Sequence, residues 1–178
     1  MARRGPRGSA DREEQGHPIL TGDEIRQRAV VRLSAADEQV QPNGIDLSLD
    51  AIWRFAESGA LGVHDRSLPA REELATDHDG WFALPPATYG IRYAEAVDMP
   101  TDCGGLCFPR SSLLRMGLTV PTAVWDAGYD GRGEGLLIVT NPHGVRLQRG
   151  ARIAQLVVFR LSQPATQGYQ GRYQHENR

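Results

Sequence analysis

Beyond Ala29 nothing in this 178-residue chain repeats with a helical period, and from Trp81 onward its apolar stretches are short and cut by proline, glycine and aspartate. Runs of that length suit strands better than helices. Strands are expected at Trp81 to Leu84, Thr88 to Ala94, Gly105 to Pro109, Leu118 to Ala123, Leu136 to Thr140, Val145 to Leu147 and Ile153 to Leu161. Ahead of them Leu47 to Phe55 alternates well enough for another strand. The expected architecture is an all-β sandwich or jelly roll with one short N-terminal helix. That helix opens at Thr21-Gly22-Asp23-Glu24, which has the spacing of an N-cap hydroxyl with a glutamate three residues on, and runs through about Ala29. Glu57 to Asp79 is polar, charged and poorly periodic, and reads as a long loop or insertion.

At this length one domain is the default, placed at residues 17–165. Met1 to Gly16 has almost no apolar content to offset its ordering entropy, so a disordered tail is expected there. The 20 basic and 22 acidic residues leave a formal charge of -2, which creates no global field to draw in nucleic acid; a basic pocket must be local. No apolar segment approaches the ~20 residues of a membrane helix and the N-terminus lacks a signal-peptide core, so no membrane association and a cytoplasmic location are expected. Cys103 and Cys107 have no Cys or His partners at metal-site spacing and read as two buried thiols.

The chemistry is concentrated between Phe108 and Gln155. Pro109-Arg110-Ser111-Ser112 sets a guanidinium fork beside two hydroxyls, a combination suited to phosphate oxygens, and Arg115 one turn later adds to an anion site. The plainer reading is a surface arginine with serines capping a turn. In Thr122-Ala123-Val124-Trp125-Asp126 a carboxylate sits between apolar residues and the run Gly128, Gly131, Gly133 and Gly135, glycines that allow close backbone approach to a ligand. Asp126 is the candidate base: a carboxylate is feeble in bulk water, so its value lies in orienting one water for attack. Alternatively it caps the hairpin. Arg149-Gly150 then feeds a strand whose polar members are Arg152 and Gln155.

Four segments in order, Pro42-Asn43-Gly44-Ile45-Asp46-Leu47, PRSSL, AVWDAGYDGRGEGLLIV and RGARIAQLV, resemble motifs one to four of the dUTPase and dCTP deaminase superfamily, most closely in its archaeal-type dUTPases. The resemblance runs from about Ile19 to about Glu176 and implies the dUTPase-like distorted jelly roll. It implies that Asp126 aligns a water on the α-phosphate of dUTP, giving dUMP and pyrophosphate. It further implies that Tyr129 packs under the deoxyribose, that Arg110, Ser111 and Ser112 hold phosphates, that Gln155 contacts the nucleotide, and that Asp46 supports the site. Hairpin packing for Tyr129, a cross-strand bond for Gln155 and an Asx turn for Asp46 are the plainer alternatives. Family members assemble as trimers with shared sites, so a homotrimer is the implied assembly. Cleaving a phosphoanhydride also calls for Mg2+, held mostly by phosphates and waters.

The tail from residue 166 to 178 reads as a lid, with Arg172 expected to clamp the terminal phosphate and Tyr169 or Tyr173 to cover the base. Its GRYQ resembles the deaminase-branch tail, with Arg172 where a lysine is expected and Glu176 where a glutamine is expected. A deaminase of this superfamily needs a glutamate three residues before Asn141; that position is Ile138, which cannot shuttle a proton. Glu134, inside the GRGEG turn, could substitute only under a different hairpin register, and is kept as a supporting residue. The resemblance therefore favours dUTP diphosphatase. A mono- or bifunctional dCTP deaminase and a non-catalytic deoxynucleotide-binding regulator are the alternatives.

Overall fold

The computed structural model describes residues 18–28, 30–121 and 123–178, so the expected N-terminal tail lies outside the described residues. In chain order the elements are α1 (Gly22–Gln27), β1 (Val31–Arg32), α2 (Ala36–Gln39), β2 (Val40–Gln41), β3 (Gly44–Phe55), β4 (Ala60–Leu61), β5 (Arg66–Ser67), β6 (Arg71–Glu73), β7 (Trp81–Leu84), β8 (Ala87–Tyr93), β9 (Ala96–Asp98), β10 (Cys103–Pro109), α3 (Ser111–Arg115), β11 (Leu118–Thr119), β12 (Asp130–Gly131), β13 (Glu134–Val139), β14 (Val145–Gln148) and β15 (Arg152–Arg160). The main antiparallel sheet runs β10-β15-β3-β8-β13-β11, with β2 and β6 also paired to β3. A smaller sheet, β1-β9-β12, and the pairs β14-β7 and β4-β5 complete it. No helix among the described residues is long and apolar enough to cross a membrane.

The capping box forms as its spacing predicts: Glu24 N–H donates to Thr21 Oγ1 and Thr21 N–H to Glu24 Oε2, at 3.3 and 2.8 Å. Two further short helices, α2 and α3, correct the expectation of a single one. α3 has no signature in the sequence, because five residues with one buried side chain, Leu113, carry no readable period. Glu57 to Asp79 is likewise more than a loop. It holds the β4-β5 pair and β6, whose Arg71, Glu72 and Glu73 pair with Phe55, Arg54 and Trp53. Conversely, the strand expected from Leu118 to Ala123 ends at Thr119. Pro121 follows and has no N–H to donate to a ladder.

β3 is the spine, and its polar/apolar alternation is real, yet both faces are buried. Ile45, Leu47 and Leu49 enter the core with Tyr89, Ile91, Tyr93, Leu156 and Val158, all fully buried. Each such aliphatic side chain contributes about 1.5–3 kcal/mol. Asp46 and Ser48 point the other way and are also buried, at 1% and 3% exposure. Buried polar groups need partners. Glu95 supplies one to the Ser48 N–H (2.7 Å) and also accepts from Ser34 Oγ (2.6 Å) and Gln39 Nε2 (2.6 Å). Gln39 in turn donates to the Asp46 carbonyl at 2.9 Å and accepts from the N–H groups of Ser34 and Ala35. A polar clasp thus ties the connection before α2 to the middle of β3. Cys103 and Cys107 are buried and not joined to one another, as expected.

Candidate functional site

β10 carries one group of polar side chains at each end. At its C-terminal end Arg110 is pinned by its N–H to the Ile153 carbonyl, 3.0 Å away. Its Nε lies 3.2 Å from Asp46 Oδ2, and Arg152 Nη1 lies 3.6 Å from the same oxygen. Neither contact is aligned as a hydrogen bond, so a buried carboxylate oxygen is shared electrostatically between two guanidinium groups. Burial pushes the Asp46 carboxyl above its ordinary range, opposed by Arg110 and Arg152 and aided by Glu95. Ser111 and Ser112 open α3 and Arg115 ends it, all three exposed. Gln155 faces the same side as Phe108, its cross-strand partner, and pairs on its other flank with Asp46. Arg110, Ser111, Ser112, Gln155 and Asp46 thus belong to one neighbourhood.

At the other end Trp125 bridges Gly105 through two backbone hydrogen bonds of 2.9 Å. Asp126 then starts a tight turn in which its carbonyl accepts from Tyr129 N–H at 3.1 Å. Gly128, third in that turn, has φ +80°, which an L side chain rarely adopts. A Cβ there would also come 2.6 Å from Gly168 of the tail. The turn leaves Asp126 exposed where two cavities of about 530 and 460 Å³ meet. Tyr129 lines the larger one but is only 6% exposed, wedged between the rings of Trp125 and Tyr169 at 5.3 and 5.9 Å. Burial, and after it the neighbouring Glu176 carboxylate, raise its hydroxyl well beyond the ordinary tyrosine range, so it stays a donor.

The tail docks on this hairpin within the same chain. Tyr129 Oη donates to Glu176 Oε1 (3.0 Å), Gln174 Nε2 to the Gly128 carbonyl (2.9 Å), and His175 N–H to the Asp130 carbonyl (2.7 Å). Gly131 leaves room for Glu176, whose backbone would meet a Cβ there at 3.1 Å. Burial raises the Glu176 carboxyl, the Tyr129 bond lowers it, and Glu134 raises it again. Tyr169 and Tyr173 both line the larger cavity, whereas Arg172 is exposed and lines neither cavity.

Glu134 is not in a turn. It opens β13 opposite Arg92, and the pairing continues without a shift to Ile138 opposite Thr88. The two side chains share a face but stand roughly 13 Å apart along the strand, so Glu134 does not reach the Ile138 position. Nor do the two clusters meet in one chain. Asp126 departs opposite Gly104, six residues from Arg110, which separates the ends of β10 by roughly 20 Å. No local pattern marks Arg152 as a second partner of Asp46, Gln39 as part of the clasp, or Trp53 and Arg71 as cavity wall. Glu95 alone is marked locally, as a carboxylate flanked by Ala94 and Ala96.

Residues 19–161 match the sequence model of the family described as dCTP deaminase-like. The chain is 45% identical over 158 residues to the Aeropyrum pernix protein named "Probable deoxyuridine 5'-triphosphate nucleotidohydrolase", covering 89% of this chain and 98% of that one. It is 41% identical to the Archaeoglobus fulgidus protein of the same name, covering 89% and 97%. Among solved structures, a 2'-deoxycytidine 5'-triphosphate deaminase from Agrobacterium tumefaciens superposes with a TM-score of 0.63 at 23% identity, and so shares the fold. That match covers 80% of this chain but only 48% of the deaminase.

Proposed function

Because this chain belongs to the dCTP deaminase-like family, we propose that it is a dUTP diphosphatase, hydrolysing dUTP to dUMP and pyrophosphate with Asp126 orienting the water that attacks the α-phosphate. The observation that carries this is Asp126 itself, held by a glycine-dependent turn at the mouth of a cavity whose floor is Tyr129. A carboxylate so placed can align a water without having to move. Tyr129, immobilised between two rings with its hydroxyl on Glu176, offers a flat face to the sugar and no give for a bulkier one. Arg110, Ser111, Ser112 and Arg115 take the phosphates, with Asp46 and Arg152 holding the Arg110 fork, and Gln155 contacts the nucleotide from the same side. Residues 166–178 act as the lid, Tyr169 and Tyr173 beside the base and Arg172 swinging in on the terminal phosphate. Deamination lacks a proton shuttle in this chain, since Ile138 stands where the glutamate is needed.

Mg2+ is the expected cofactor. Among the described residues no group of three or more His, Cys, Asp or Glu could hold a metal, a donor set that fits an ion carried by phosphate oxygens rather than by a protein cage. Bound there, the ion supplies neutralisation of the triphosphate charge.

A complete site needs a second copy. The outer face of β10 and β15 between the two clusters carries Leu106 and Phe108, 38% and 52% exposed, the kind of surface another subunit covers. A head-to-tail contact of this face closes into a ring, here a trimer, and brings the Arg110 end of one chain to the Asp126 end of the next. Mixing two inactive variants tests it. Asp126→Asn and Arg110→Ala, unfolded and refolded together in equal amounts, are expected to regain about a quarter of the wild-type sites. Activity that stays at the level of the separate variants would place both residues in one chain's site.

A further inference from the structure

The segment from Arg66 to Glu73, which sequence patterning leaves as an unassigned charged insertion, builds one wall of the larger cavity through Leu68, Pro69 and Arg71. Arg71 is held there on three sides. Its backbone is paired with Phe55, its guanidinium carbon lies 4.7 Å from the centre of the Trp53 ring, and its Nη1 donates to Glu134 Oε1 at 2.8 Å. Trp53 is fixed in turn because its indole lies directly against strand β8: a Cβ on Gly90 would come 2.1 Å from ring atoms. Although half of its side chain is exposed, the stacking and the ion pair set the direction of its head group, which presents a placed set of donors.

We propose that Arg71 is a specificity-determining residue that donates to a carbonyl oxygen of the uracil ring; this rests on the dUTP reading above. Two observations favour a base over a phosphate at Arg71, and a third concerns which base. The wall around Arg71 is apolar, formed by Phe55, Leu68, Pro69 and Leu136, and suits a flat, uncharged ring. The carboxyl groups of Glu134 and Glu176 line the same cavity and oppose a triphosphate there. Finally, a guanidinium is donor-only. Uracil carries a carbonyl where cytosine carries an amine, and an amine set against the Arg71 head group would meet a donor that cannot accept from it. A site that hydrogen-bonds one substrate group rejects the analogue that cannot reciprocate.

The test compares binding of α,β-imido-dUTP and α,β-imido-dCTP, which share sugar and triphosphate and differ only in the base, by calorimetry with Mg2+ present. Wild type is expected to prefer the uracil compound, Arg71→Met to lose about tenfold or more of that preference, and Arg71→Lys, still donor-only, to keep most of it. A preference unchanged in Arg71→Met, or affinities for the two compounds that fall equally, would overturn the assignment, the second outcome making Arg71 a prop for the wall. Equal wild-type affinities would overturn it too while leaving dUTP hydrolysis standing. If wild type binds neither compound, the dUTP reading fails and the assignment fails with it.

Discussion

Asp126→Asn is expected to lower kcat for dUTP roughly a thousandfold, the middle of the range for losing a positioned base. Substrate affinity and the unfolding midpoint should both hold. The side chain is exposed, and the turn that carries it depends on the Asp126 carbonyl and on Gly128, neither of which the substitution alters. An amide keeps the size and one acceptor but cannot draw a proton from water. Steady-state kinetics and equilibrium titration with the imido analogue separate the two effects: KM and Kd near wild type with a collapsed kcat identify a group used in the transition state. If kcat fell less than tenfold, water orientation would belong to another residue.

Glu95→Ala is expected to be the most destabilising single substitution outside the aliphatic core. Glu95 is 1% exposed and accepts three hydrogen bonds of 2.6 to 2.7 Å. Truncation strands the Gln39 amide and the Ser48 N–H in a site too buried for bulk water, while the Ser34 hydroxyl, on an exposed residue, can turn to solvent. At about 1–3 kcal/mol for each of these two unsatisfied donors, the loss is about 2–6 kcal/mol. For a chain of this size that lowers the melting temperature by roughly 10 °C. The damage should spread to function, because the clasp holds the strand that carries Asp46, and Asp46 orients Arg110. A thermal shift of under 3 °C would mean that water replaces the carboxyl group, an outcome the tight burial argues against.

What could be read from the sequence was what local chemistry decides. The α1 capping box needs only Thr21 and Glu24, three residues apart, and it formed as spaced. The Asp126 turn needs only Gly128 two residues on. β8, β10, β13 and β15 announce themselves through runs that the paired strands bury. The features that went unread depend on distant partners. β6 is charged throughout and is a strand only because the edge of β3 offers it hydrogen bonds. Glu95 shows no motif because its partners Ser34, Gln39 and Ser48 lie 61, 56 and 47 residues away. The separation of Arg110 from Asp126 follows from where Trp125 bridges β10, which no local pattern encodes. Arg110 and Asp126, both within the short motif-bearing stretch of the chain, are thus divided between the two ends of one strand.

The most direct measurement is product analysis after incubating the protein with Mg2+ and either dUTP or dCTP in heavy-oxygen water. The expected result is that dUTP is converted to dUMP and pyrophosphate, with the heavy oxygen on dUMP as attack at the α-phosphate requires, and that dCTP is left intact. Formation of dUTP or dUMP from dCTP, heavy oxygen in the pyrophosphate, or no turnover of dUTP would contradict it.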